Sequence, residues 1–386
     1  VRRIDFVIFF SIVLTVYGLI NTYIFVRGLS VVSPESGLRV WYIVLFWVVA
    51  AAFLAGRFLE RVQISSLSTS LVWIGSFWLA AMLYLLLMFG IIDLVRLVNF
   101  LFPFFPDAIT ANPGRTKSVA AAVVTASYVL ILAGGHINAR LHRIRRLSFD
   151  LGTRMPRERQ LTLAVASDIH LGTIVCKSWF EKIVDEINGL QPDLILLPGD
   201  VVDEDLGPVI EQNLGETLRK LKARYGVFAV TGNHEYIGGV EAACRYLTEH
   251  GITMLRDEAV TIDGVATIVG REDLSYNRAS GRRRTELSEL VAGVDRSLPL
   301  ILMDHQPFHL EEAERNGIDL QLSGHTHHGQ LWPLNYITRA VYEVSWGYIR
   351  KGLTHIFVSC GVGTWGPPVR TGNRPEILHI TLSGTG

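Results

Sequence analysis

Cysteine is scarce in this sequence: Cys176, Cys244 and Cys360 are the three in 386 residues. They form no C-x-x-C pair and no framework spacing, which excludes a disulfide-stapled fold and a cysteine-built structural zinc site. Their ordinary place is a packed interior. Charge is scarce in the first third, where residues 1–138 hold nine Lys/Arg and five Asp/Glu. The apolar runs at 4–26, 39–56, 69–92 and 118–135 exclude a soluble N-terminal domain, because each reaches the roughly 20 residues that cross hydrocarbon as a helix. A signal peptide has a shorter apolar core than the first run and is not followed by three more spans. The stretch from Ile91 to Phe105, interrupted by Asp93 and Arg96, either extends the third span or lies in the interface.

An excess of one charge sign is also missing, with 36 Lys/Arg against 36 Asp/Glu, but the balance hides a division. Residues 139–160 carry seven Arg and two acids, and residues 161–386 carry 20 Lys/Arg and 29 Asp/Glu. The order apolar, basic, acidic reads as bilayer, bilayer surface and cation-binding globule. The basic connector alternates arginines with Leu141, Ile144, Leu147 and Phe149, which fits a stop-transfer flank or a surface helix on anionic headgroups. Arg2 and Arg3 before the first span, and Arg140, Arg143, Arg145 and Arg146 after the last, place both ends on the cytoplasmic side. The expectation is an integral membrane protein with a cytoplasmic C-terminal domain.

From Leu161 the pattern changes to short β-type runs separated by helical stretches near 177–188, 209–223 and 240–250, the signature of α/β layering. Each early run stops at a side chain able to bind metal. LTLAVASD ends at Asp168, DLILLPGD at Asp200, GVFAVTGN at Asn233, PLILMDH at His305 and LQLSGH at His325. The carboxyl ends of strands are where α/β sheets place ligands. Further β-type runs near 253–270, 355–361 and 376–382 supply enough strand for two packed sheets flanked by helices.

A lone histidine is ordinarily a surface or core residue, and an Asp after a strand is ordinarily a cap or turn former. Conjunction changes that reading. Asp168-Ile169-His170, Gly199-Asp200-Val201-Val202-Asp203, Gly232-Asn233-His234-Glu235, His305 and Gly324-His325-Thr326-His327-His328 occur in one order, each at a strand end. The glycine before Asp200 lets the backbone turn closely enough for that carboxylate to be shared by two cations.

These motifs resemble the calcineurin-like metallophosphoesterases, in particular the bacterial membrane-associated branch that reads GNHEYxxG and SGHTHxGQ. The resemblance covers residues 161–382, including the closing GVGTWGPPVRTGNRPEI. It implies one metal held by Asp168, His170, Asp200 and His327. It implies a second held by Asp200, Asn233, His305 and His325, with Asp200 bridging. His234 would stand near the leaving group, oriented by Asp203, and His328 departs from relatives that have glycine there. Two divalent ions, Mn or Fe with Zn as an alternative, suit mixed oxygen and imidazole donors. A hydroxide between two such ions would cleave a phosphodiester or pyrophosphate bond.

Four spans exceed what an anchor needs, and Trp332, Tyr336, Tyr342, Trp346 and Tyr348 follow the histidine cluster, either packing a loop or forming an interfacial rim. The preferred substrate is a lipid or lipid-linked phosphate in a bacterial inner or plasma membrane, with membrane lipids as partners. The alternatives are a tethered phosphodiesterase for soluble substrates and a non-catalytic receptor or scaffold. Nucleic acid is not expected, because the domain is acidic.

Overall fold

The computed structural model describes residues 3–156, 158–262 and 264–384. The chain divides into two compact units, Val1–His136 and Ile137–Gly386. The first is built from helices α1 (Arg3–Leu29), α2 (Leu38–Val62), α3 (Ser66–Leu101) and α4 (Pro113–Ala139), whose last three residues count with the second unit. Four helices are long and apolar enough to cross a membrane, as the composition requires. Arg2, used above as an orientation signal, lies outside the described residues.

Helix α3 runs on to Leu101, so the stretch beginning at Ile91 extends the third span. Asp93 is tolerated there because it is paired: Tyr23 Oη donates to Asp93 Oδ2 at 2.6 Å, and Arg27 and Arg96 form ion pairs with the same carboxylate. A methyl group at Gly56 or Gly75 would overlap the backbone of Val72 or Phe53, so small residues set the close approach of α2 and α3.

The second unit is a two-sheet sandwich. The first sheet has the order β1-β12-β2-β3-β4-β5, where β1 is Arg143–Asp150, β2 Gln160–Val165, β3 Leu194–Pro198, β4 Val227–Val230, β5 Thr253–Met254 and β12 Glu376–Ser383. The second runs β10-β11-β9-β8-β7-β6, with β6 Glu258–Ile262, β7 Ala266–Gly270, β8 Leu300–Met303, β9 Leu320–Ser323, β10 Gly347–Lys351 and β11 Thr354–Val358. Leu163, Val165, Leu194, Leu196 and Phe228 from one sheet pack against Ile268, Ile301, Met303, Leu322 and Phe357 from the other. Strands buried on both faces read as continuous apolar runs, which is why LILLP and LILM show no alternation. On the outer face of the second sheet, Val269, Leu300 and Leu302 pack with Leu287, Val291 and Ala313 of short helices. Helices α5 (Lys177–Gly189) and α6 (Val240–Glu249) each bury one stripe, Phe180, Ile183, Val184 and Ile187 in α5.

The basic connector is corrected here. Residues 143–150 are not a surface helix but strand β1, paired in parallel with β12 from Arg143↔Glu376 to Asp150↔Ser383. Only residues 140–142 link it to α4, roughly 10 Å of chain at full extension. The predicted helix over 209–223 is also broken, into Gly207–Glu211 and Leu214–Leu218, by Asn213 at φ 54°. Cys244 and Cys360 are buried and Cys176 is partly exposed; burial pushes the Cys244 thiol up to about 12.

Candidate metal centre

Strands β2, β3 and β4 are mutually parallel, as are β7, β8 and β9, so each sheet offers an edge of carboxyl ends. The strands stop two or three residues before the candidate ligands, and tight turns carry the side chains inward. Those turns are strained: Asp168, His170, Asp200, His325 and His327 all have left-handed backbones, with φ of 53°, 54°, 51°, 71° and 44°. Non-glycine residues hold such conformations only where surrounding structure over-determines them, and they gather at functional sites. The motif glycines make room. A methyl group at Gly232 would overlap the Asp200 carboxylate, and one at Gly324 would overlap that of Asp168.

All seven residues expected as ligands converge, in two groups. In the first, His170 Nε2 and His327 Nε2 face each other at 2.9 Å, with Asp168 Oδ1 3.6 Å from His327 Nε2. In the second, Asp200 Oδ2 lies 3.1 Å from His305 Nε2, and His325 Nδ1 lies 2.7 Å from Asn233 Oδ1. Asp200 stands between the groups, its Oδ2 also 3.8 Å from His170 Nε2. Asp168 with His170 and His327, and Asp200 with His305 and His325, each present atoms close enough to share one ion.

The donor set fits divalent cations. Asp168 Oδ2 is buried without a hydrogen-bond partner, and His305 Nε2 approaches Asp200 without hydrogen-bond alignment, as two groups converging on a third would. His305 Nδ1 bonds Pro198 O at 2.7 Å, which commits that nitrogen as the donor and leaves Nε2 for an ion. Burial alone would raise the Asp200 pKa, but the charges of His305, His234 and His170 outweigh it and hold the carboxyl well below the usual range. Burial and the neighbouring His305 push His325 down to about 4, and burial with His170 and Arg370 pushes His327 lower than an ordinary imidazole. Burial would lower the His305 pKa, but the charge and hydrogen bond of Asp200 lift it well above an ordinary imidazole. The ionised Asp200 and the neutral forms favoured at His325 and His327 are the states that bind metal.

His234 lies outside these two groups and forms a third close cluster with His170 and Asp203. Its Nδ1 is 3.0 Å from Asp203 Oδ1, as the motif implies, and the same oxygen lies 3.7 Å from His170 Nδ1, so Asp203 faces two histidines. Burial would lower the His234 pKa, but the Asp203 hydrogen bond and the charges of Asp200, Asp203 and Glu204 reverse this and lift it to about 9.

Two supports escape motif reading. Glu235 is buried and accepts from Gly232 N at 2.7 Å, Val202 N at 2.9 Å and Asp200 N at 3.2 Å, clamping the Asp200 turn to the Asn233 turn. Its place in GNHE was a signal without a role. Arg370, the largest fully buried side chain, donates to Cys360 O at 2.8 Å and Gly363 O at 3.0 Å and reaches His327 Nδ1 at 3.1 Å. Asn373 Nδ2 donates to His327 O, and Asn138 Nδ2 donates to Arg370 O at 2.9 Å and Asn373 O at 2.8 Å. Arg370→Met therefore strands several buried acceptors. We expect metal affinity to fall about 10- to 100-fold, the usual cost of losing a partner behind a metal ligand, as read by metal titration. Arg370→Lys recovers little, because an ammonium cannot span the planar guanidinium's partners. Wild-type affinity in both variants would refute this role.

His328 is not a surface residue: it is buried, and its Nδ1 lies 3.0 Å from Ser345 Oγ. Of the five aromatics, Trp332, Tyr336 and Tyr348 are exposed. Tyr348 is nevertheless stacked on Phe149, Tyr342 packs with Phe308, and Trp346 lies under Arg145.

A sandwich whose two edges of carboxyl ends bring Asp, Asn and His donors together is the architecture of a metal-dependent phosphoesterase. The chain belongs to the calcineurin-like metallophosphoesterase family. The family's sequence profile, described as calcineurin-like phosphoesterase, matches residues 161–329. A metallophosphoesterase of Aquifex aeolicus is 33% identical over 264 residues, 67% of this chain and 99% of that protein. One from Campylobacter jejuni is 26% identical over 385 residues, 98% of this chain and 99% of that one, so that similarity continues through the apolar helices. A zebrafish protein named a transmembrane protein with metallophosphoesterase domain is 32% identical over 234 residues, 58% of this chain and 53% of its own length.

Proposed function

We propose that the protein hydrolyses a phosphodiester or pyrophosphate bond in a membrane lipid or lipid-linked phosphate, using two divalent ions. The observation that carries this reading is that the clustered donors Asp168, His170 and His327, and Asp200, His305 and His325, belong to a chain that also carries, among its described residues, four helices long and apolar enough to cross a membrane. Arginines flanking the helical region support a cytoplasmic catalytic domain.

Asp168, His170, Asp200 and His327 would hold one ion, and Asp200, Asn233, His305 and His325 the other. Oxygen and imidazole donors favour Mn or Fe, with Zn as an alternative. Ions so placed supply an activated water and neutralise charge on the phosphoryl oxygens. The chain's own part is to fix their positions and to move a proton. His234 donates Nδ1–H to Asp203, which fixes its ring, and its Nε2 delivers a proton to the departing oxygen.

The test is incubation of the detergent-purified, Mn-loaded full chain with a total lipid extract, read by mass spectrometry. One lipid class is expected to lose its headgroup or a phosphate. An unchanged extract beside brisk cleavage of soluble diesters would show instead a tethered enzyme for soluble substrates.

A further inference from the structure

The aromatics after the histidine cluster read in the sequence as loop packing or an interfacial rim, and the structure leaves Trp332 and Tyr336, with further large apolar side chains, in water on the catalytic domain. Trp332, Tyr336, Ile337 and Trp365 are each more than half exposed. Tyr336 and Ile337 lie on the short helix α7 (Asn335–Val341), and Val341, also exposed, closes it. Such a concentration is unusual on a soluble face and marks a site of contact.

Hydrogen bonds tie these residues together. Gln330 Nε2 donates to Trp365 O at 3.0 Å, and Trp365 N donates back to Gln330 Oε1 at 3.0 Å. Trp332, two residues on, donates its backbone N–H to Thr371 Oγ1 at 2.9 Å. Thr371 follows Arg370, whose carbonyl accepts from Asn138 in the last turn of α4. The exposed aromatics therefore stand on the face from which the chain leaves for its apolar helices, and Ile137 and Leu141 are themselves exposed there.

The same set frames the catalytic centre. The Trp365 ring lies 6.3 Å from the ring of His234, and Tyr342, which directly follows α7, lies 6.0 Å from the ring of His325. One side borders the proton donor and the other a metal ligand. Exposed Arg339 on α7 adds positive charge suited to anionic headgroups, as do exposed Arg140 and Arg374, the latter donating Nε to Leu141 O at 2.7 Å.

We propose that Trp332, Tyr336, Ile337 and Trp365 form a collar seated in the bilayer around the catalytic opening. A lipid phosphate can then reach the metal centre with its acyl chains still in the membrane. The occupant of this face is lipid. Trp and Tyr are the residues that settle at headgroup level, and the chain carries four helices among its described residues that are long and apolar enough to cross a membrane. The inference rests on the lipid-substrate reading and adds the surface that would serve it.

The test is a probe rather than a rate. In a Cys176→Ser background, Ile337→Cys is labelled with an environment-sensitive fluorophore. The full chain is placed in nanodiscs of phosphatidylcholine and phosphatidylglycerol, with and without brominated acyl chains. Leu353→Cys is the control: Leu353 is 81% exposed and precedes β11, which runs parallel to β9, so it sits at the edge opposite His325. The Ile337 probe is expected to shift to the blue and to lose most of its emission to lipid bromine, while iodide in water quenches it severalfold less than the Leu353 probe. Tyr336→Cys should behave like Ile337→Cys. Equal iodide quenching at 337 and 353 would overturn the collar, as would a probe shielded from iodide yet untouched by lipid bromine, which would mean a protein partner. No turnover enters the measurement, so a failed lipid-extract test and a failed collar are separate results.

Discussion

Replacing Asp200 with Asn should empty both metal positions and lower phosphodiester turnover by about 10³-fold, since cation stabilisation of the reacting phosphate is worth several kcal/mol. The size of the effect follows from position. Asp200 Oδ2 is 3.1 Å from His305 Nε2 and 3.8 Å from His170 Nε2, and its Oδ1 accepts from His234 N at 2.9 Å. One carboxylate thus reaches both ligand groups and the turn that carries the acid. A neutral amide keeps the shape but removes the charge that draws cations in among imidazoles. Metal content by mass spectrometry and hydrolysis of an aryl phosphodiester measure it, with near-ultraviolet circular dichroism reporting the fold. A variant that retains two equivalents of metal would sink the bridging role.

His234→Asn should behave differently. His234 belongs to neither the Asp168 group nor the Asp200 group, and its Nδ1 is committed to Asp203, so metal content should be unchanged while turnover falls about 10²- to 10⁴-fold, the range for loss of a general acid. The loss should shrink for substrates whose leaving group is a weak base and needs no proton. The variant's deficit with a nitrophenyl ester should therefore be smaller than with an alkyl ester. Equal deficits on both, or an emptied metal site, would count against His234 as the proton donor. Asp203 belongs to the same unit, facing His234 and His170 alike, so its replacement should lower both turnover and metal affinity.

The candidate ligands were legible because each ends an apolar run. Asp168, Asp200, Asn233, His305 and His325 follow short β-type stretches, and strand ends are read from local pattern alone. The glycines beside them carried the same message, since a methyl group at Gly232 or Gly324 would collide with a ligand carboxylate. Glu235 and Arg370 were not legible as supports. A buried glutamate that clamps three backbone N–H groups looks, in sequence, like a helix-favouring residue after a histidine. A buried arginine bonded to carbonyls looks like a surface charge in a Pro/Gly-rich tail.

Local pattern alone determined that this chain carries four membrane-crossing lengths of helix and a sandwich whose strand ends present metal donors. Hydrophobic period and turn chemistry are written within a few residues of each element. Tertiary structure alone decided that an arginine-rich stretch becomes β1, because its pairing partner lies more than two hundred residues away in β12. It likewise buried His328, tied Asn138 to the loop behind His327, and left Trp332 and Trp365 exposed, the Trp365 ring 6.3 Å from that of His234. Each of these depends on which distant backbone comes alongside, and no window of sequence contains that partner.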